Sequence, residues 1–175
     1  HLPQCGARHR RRSALMAPAD PVGDLLEAYA ASGVFKGFSR TGRKGRKTEY
    51  RVLWHRDQLL QWVWDDAKQS LRISCVLPAV PADSSMYREL KAWLKARQDE
   101  ALPEHRRCDA ARVAIRTYNR GGDVALTLRS LDGDVEYLVT RLVALVNEIY
   151  LDFLSSGLYF EWLVETFELD PDHPY

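Results

Sequence analysis

The densest group of charged side chains lies in the run KGFSRTGRKGRKT, residues 36–48. Arg40, Arg43, Lys44, Arg46 and Lys47 are interleaved there with Gly42 and Gly45. Glycine lets a main chain approach a phosphate backbone and cations replace its counterions, so the run reads as a loop contacting an anion or a nucleic acid. A Walker-type loop needs GxxxxGKS or GxxxxGKT between a strand and a helix, and this run does not fit it. The competing reading is a solvated, flexible hairpin connection whose cations keep an edge strand from aggregating.

A second candidate is LYFEWLVETFELD, which begins at Leu158. Tyr159, Phe160, Trp162, Leu163 and Phe167 are much apolar surface for one short helix. Such an end can dock on another protein or on a second copy of the chain. It can equally pack on its own domain. Of the aromatics upstream, Trp62 and Trp64 share a strand face with Leu60 and are expected in the core. Tyr50, Trp54 and Tyr118 are the aromatics expected to be exposed, where they could stack on a ligand.

Other polar pairs suggest less. His55 and Asp57 flank one residue at a turn, which suits local turn chemistry better than a proton relay. Glu148 and Asp152 are four apart on one helical face and can bind a cation or form a solvated helix back, the second being the more common outcome. Cys5, Cys75 and Cys108 are too far apart for a CxxC site or a disulfide framework. No GxSxG, HExxH or Gly-rich nucleotide fingerprint occurs. We therefore expect no catalytic residue, no metal and no cofactor.

The element that must organise these groups is DVEYLVTRLVALVNEIYLDFLSSG, Asp134 to Gly157. Leu138, Leu142, Leu145 and Ile149 recur at three- and four-residue steps, which draws an apolar stripe down a helix. Asp134 suits the N-cap and Gly157 the left-handed position that ends the helix. Upstream, Asp20-Pro21 starts a short helix that Gly33 stops. From Glu49 the period falls to two. Three strands follow around Tyr50–Trp54, Leu60–Trp64 and Leu71–Leu77, joined by turns short enough to force antiparallel pairing. Pro78 and Pro81 end the meander. A helix bearing Tyr87, Leu90, Trp93 and Leu94 comes next. A hairpin then runs through 112–130, with Gly121-Gly122 at its tip.

The expected order is α-β-β-β-α-β-β-α with a short extra helix, in a single α+β domain over 20–170. About five antiparallel strands carry their helices on one face. The other face should be wet, through Arg51, His55, Arg72, Arg116 and Arg129. Residues 1–19 read as a basic extension and 171–175 as a frayed end. Pro18, Asp20 and Pro21 interrupt the place where a secretory apolar region would lie, so no signal peptide is expected. A net charge of +1 gives no global pull toward nucleic acid or membranes. No apolar run is long enough for a bilayer, and the sparse cysteines suit a reducing cytoplasm.

The meander from Tyr50 to Leu77, the capped helix, the hairpin 112–130 and the long helix resemble, in their order, the type III secretion chaperone-like fold, which includes the YbjN-type regulators. The resemblance spans roughly residues 20–157 and matches no motif, so it assigns no residue a role. It implies a small, non-catalytic, cytoplasmic bacterial protein, often dimeric, that binds other polypeptides. The expectation is thus a chaperone- or adaptor-like binding module. The alternative is a nucleic-acid-associated regulator acting through loop 40–47.

Overall fold

In the computed structural model the described residues are 19–167; both the basic extension and the end beyond 167 fall almost wholly outside them. Helix α1 spans Pro21–Ala31. It starts as expected: the Asp20 carboxylate accepts the Gly23 N–H, and Pro21 occupies the first turn, where its missing donor costs nothing.

Four strands follow: β1 Gly37–Lys44, β2 Lys47–Trp54, β3 Gln58–Asp65 and β4 Ser70–Leu77. Helix α2, Ser85–Ala96, is capped by the Ser84 hydroxyl. The hairpin β5 Val113–Arg120 and β6 Asp123–Ser130 leads into helix α3, Val135–Glu148. Asp134 caps α3 through the Tyr137 N–H, as expected. The chain then winds through a π turn, Ile149–Phe153, and a 3₁₀ turn, Leu154–Ser156. Gly157, at φ 81°, ends it in the left-handed conformation. Helix α4, Phe160–Phe167, is the short extra helix.

The six strands form one antiparallel sheet in the order β1-β2-β3-β4-β6-β5. Tyr50, Val52, Trp62, Leu71, Ile73, Leu126 and Leu128 point to one side. There they form one core with Leu26 of α1, Leu90 of α2, Leu138, Leu142 and Leu145 of α3, and Leu163 of α4. The four α-helices of the described residues all lie on that side. Each such leucine is worth about 2–5 kcal/mol against truncation to alanine.

Two expectations change. The stretch read as a basic loop is the hairpin β1–β2, closed at Gly45-Arg46 with a left-handed Gly45 at φ 62°. It adds the sixth strand, with a bulge between Arg40 and Gly42. Beyond Phe38 every residue of β1 is exposed, so an edge strand held by backbone pairing shows no apolar alternation. The second change concerns Tyr50 and Trp54, which are buried at 0% and 6% exposure; of the three aromatics expected outside, Tyr118 is exposed, at 67%.

Candidate functional site

The hairpin divides the five cations. Arg40 faces the helices, where α1 presents carboxylates, and its guanidinium donates to Asp20 (3.1 Å), Asp24 (2.8 Å) and Glu27 (2.7 Å). Arg46 donates to Asp66 at 2.7 Å. Arg43 bends back to the Gly45 carbonyl at 3.4 Å. Lys44 and Lys47 stand opposite each other across the strands and are exposed. Two of the five are therefore spent on carboxylates, and a phosphate would have to displace them.

The C-terminal aromatics pack mostly inward. Tyr159 and Leu163 are buried, and the Tyr159 hydroxyl donates to the Glu89 carboxylate. Trp162 donates its indole N–H to the Ala79 carbonyl at 2.9 Å and meets Phe167 edge-on. Phe160 is left at the surface beside the more exposed Leu158.

Among the described residues no helix covers the other face of the sheet. Strand register builds it in rows. Glu49, Val63, Arg72, Thr127 and Arg116 stand in one row across β2, β3, β4, β6 and β5. Lys47, Asp65, Ser70, Arg129 and Ala114 stand in the next. On the far side Arg51 pairs with Gln61, and Leu53 with Leu59. With strands about 4.8 Å apart and about 3.4 Å per residue, Arg72 and Arg116 flank Thr127, and Arg129 lies about 7 Å along.

Arg51, Arg72, Arg116 and Arg129 are exposed and have no ion pair or hydrogen bond among the described residues. The carboxylates of this face are Glu49, Asp65 and Asp123. Asp65 accepts the Ala67 and Lys68 N–H groups of its own turn. Asp123 faces the Cys75 thiol. Apolar surface lies among the cations: Leu59 is 60% exposed, and Tyr118 rises from β5. Sequence reading names these arginines as wet alternates without bringing them together. Only the strand order, with β6 inserted between β4 and β5, makes neighbours of Arg72, Arg116 and Arg129.

Elsewhere the chemistry is quiet. A shallow groove of about 590 Å³ lies along the start of α3, lined by His105, Arg112, Asp134, Tyr137, Thr140 and Arg141 among others. A second, of about 270 Å³, runs between α2 and β5. Burial, with Asp123 nearby, pushes the Cys75 thiol up to about 11. Burial pushes Cys108 to about 11 as well, so neither is a thiolate near neutrality. Glu148 turns to Arg97 at 3.8 Å and Asp152 to Arg106 at 3.5 Å, not to each other. Asp57 pairs with Lys36 rather than with His55. No group of three or more metal-ligating side chains occurs among the described residues, and no helix there is long and apolar enough to cross a membrane.

His55 stacks on Tyr150 at 4.5 Å, with Trp54 on its other side at 4.3 Å. Its Nε2 is buried without a partner among the described residues. Burial, helped by the Arg56 charge and opposed by a hydrogen bond with Asn147, lowers its pKa to about 4. The ring is a neutral part of the packing. Compared with protein-family models, with curated proteins and with solved structures, the chain finds no match.

Proposed function

We propose that this protein is a non-enzymatic, cytoplasmic binding module that takes a polypeptide partner on the open face of its sheet, as a chaperone or adaptor does. One observation carries the reading. Among the described residues a six-stranded antiparallel sheet is shielded by helices on one side only, and its other side holds exposed Leu59 and Tyr118 among arginines without an ion pair there. Apolar and cationic side chains so mixed suit a protein surface: burial supplies affinity and charge sets orientation. The reading through residues 40–47 as a nucleic-acid contact is weaker, because Arg40 and Arg46 are already neutralised by carboxylates.

Site-directed photocrosslinking tests this. A photoreactive residue at Leu59 should capture a discrete polypeptide, either another protein or a second copy of the chain. The same residue at Leu151, equally exposed in the π turn after α3, should capture none. Adducts at Leu151 but not at Leu59, or adducts with nucleic acid alone, would overturn the proposal.

A further inference from the structure

We infer that the open face selects an extended acidic polypeptide segment, read by the arginine trio Arg72, Arg116 and Arg129. This rests on the polypeptide-binding reading above and names the chemistry of the partner. The argument is charge complementarity. The trio surrounds Thr127, a neutral side chain, and no carboxylate stands beside any of the three in its row or the next strand position. Glu49 is the nearest acid in the Arg72 row and lies two strands away, beyond Val63. Three guanidiniums held this close repel one another in the free protein, so a segment carrying carboxylates relieves a cost the fold bears alone. Each fork takes a carboxylate in bidentate fashion.

The rest of the face sets the form of the segment. Leu53 and Leu59 form an apolar pair across β2 and β3, and Tyr118 stands at the opposite edge. Tyr118, two residues along β5 from Arg116, lies on the same side of the Arg72–Arg116 row as Leu53 and Leu59, so a segment over the face meets apolar ground on one side and cations on the other. Acidic residues punctuated by aliphatic ones match that arrangement, and an alternating pattern places the two kinds on alternate sides. An oligonucleotide also satisfies arginines, but its regular charge spacing makes no use of Leu53 and Leu59.

The test is fluorescence anisotropy with a labelled peptide of alternating Glu and Val, about ten residues long, enough at about 3.4 Å per residue to cross the face. Its controls are an alternating Lys–Val peptide and an oligothymidine strand of the same charge. The Glu–Val peptide should bind, should weaken as salt is raised, and should lose about tenfold or more in affinity in R72E/R116E/R129E, in line with losing charge-assisted contacts. R72Q/R116Q/R129Q, which only removes charge, should fall between. R43E/K44E at the hairpin tip should leave affinity unchanged. Circular dichroism and urea melts establish that each variant is folded.

Equal binding by wild type and both triple variants, no binding of the Glu–Val peptide to wild type, or tighter binding of oligothymidine would overturn the inference. Capture at Leu59 that survives R72E/R116E/R129E would sink the acidic preference and leave the binding-module reading standing. Loss of capture at Leu59 in the wild type would remove both.

Discussion

Arginine has two fates in this molecule. At two corners it locks a helix onto the sheet. Arg40 of β1 reaches Asp20, the N-cap of α1. Arg112, just before β5, reaches Asp132 at 2.6 Å and Asp134, the N-cap of α3, at 2.7 Å, and lies 3.7 Å over the Tyr137 ring. In each case one carboxylate oxygen holds the first turn of the helix and the other meets the arginine. On the open face Arg72, Arg116 and Arg129 hold nothing. The same side chain is thus structural where helices supply acids, and free where no helix covers the sheet. That difference separates the residues that maintain the fold from those available to a partner.

The sharpest way to break the first fate is at Asp20. Its carboxylate caps α1, accepts the Tyr50 hydroxyl at 2.6 Å and meets Arg40. Losing a cap costs about 1 kcal/mol. Leaving the hydroxyl of fully buried Tyr50 without its acceptor costs about 1–2 kcal/mol more. The exposed part of the Arg40 pair adds little. D20A should therefore destabilise by about 2–3 kcal/mol in urea titrations. D20N, which can still cap and accept, should lose less than half of that.

Partial burial tends to raise the Asp20 pKa, but hydrogen bonds from Tyr50, Gly23 and Arg40 outweigh it and hold the carboxyl below its ordinary 3.8. This contribution is complete above the unfolded value near 3.8 and is lost as pH falls through the lower folded one. A D20A melt with an unchanged midpoint would show that the corner locks nothing.

His55 is a third case, a potential cation that the interior keeps neutral. Its folded pKa of about 4 lies below the ordinary 6.5, so the unfolded chain takes up the proton first. Stability is complete above about pH 6.5 and declines as pH falls toward 4, where the folded ring also charges. Partial exposure screens the effect to about 1–2 kcal/mol. Urea midpoints between pH 7 and 4.5 should fall for the wild type and fall less for H55F. Parallel slopes in the two proteins would place the titrating group elsewhere.

How much of this was legible beforehand follows from the same contrast. Strands with one buried face announce themselves, because Val52, Trp62, Ile73 and Leu126 recur at a period of two, although the same pattern did not place Tyr50 and Trp54 inside. The starts of α1 and α3 were readable from Asp20, Pro21 and Asp134, which act locally, whereas Gly157 ends the 3₁₀ turn that follows and α3 itself stops earlier, at Glu148. Strand β1 was not, since it buries little beyond Phe38 and is held by the backbone of β2. The fate of an arginine was not readable either. Arg40 meets α1 acids sixteen and thirteen residues away, and Arg72 meets no acid, for reasons that lie in strand order and not in spacing.

A smaller effect separates the corner arginine from its open counterparts. R40Q removes three carboxylate contacts that are partly solvent-exposed, so it should cost about 0.5–1 kcal/mol, and less at high salt.

The smallest expected effect is the most informative about the open face. Arg72, Arg116 and Arg129 make no side-chain hydrogen bond or ion pair among the described residues, so R72Q, R116Q and R129Q, which keep most of the aliphatic stem, should each change stability by no more than about 0.5 kcal/mol. The sign matters more than the size. Removing one of three neighbouring positive charges relieves repulsion, so each change should be neutral or slightly stabilising at low salt, and the gain should vanish as salt screens the charges. R40Q should show the opposite sign under the same conditions. Urea midpoints at low and high ionic strength measure both. If all four variants lose stability alike, the open-face arginines hold the fold as the corner ones do, and the surface is not free for a partner.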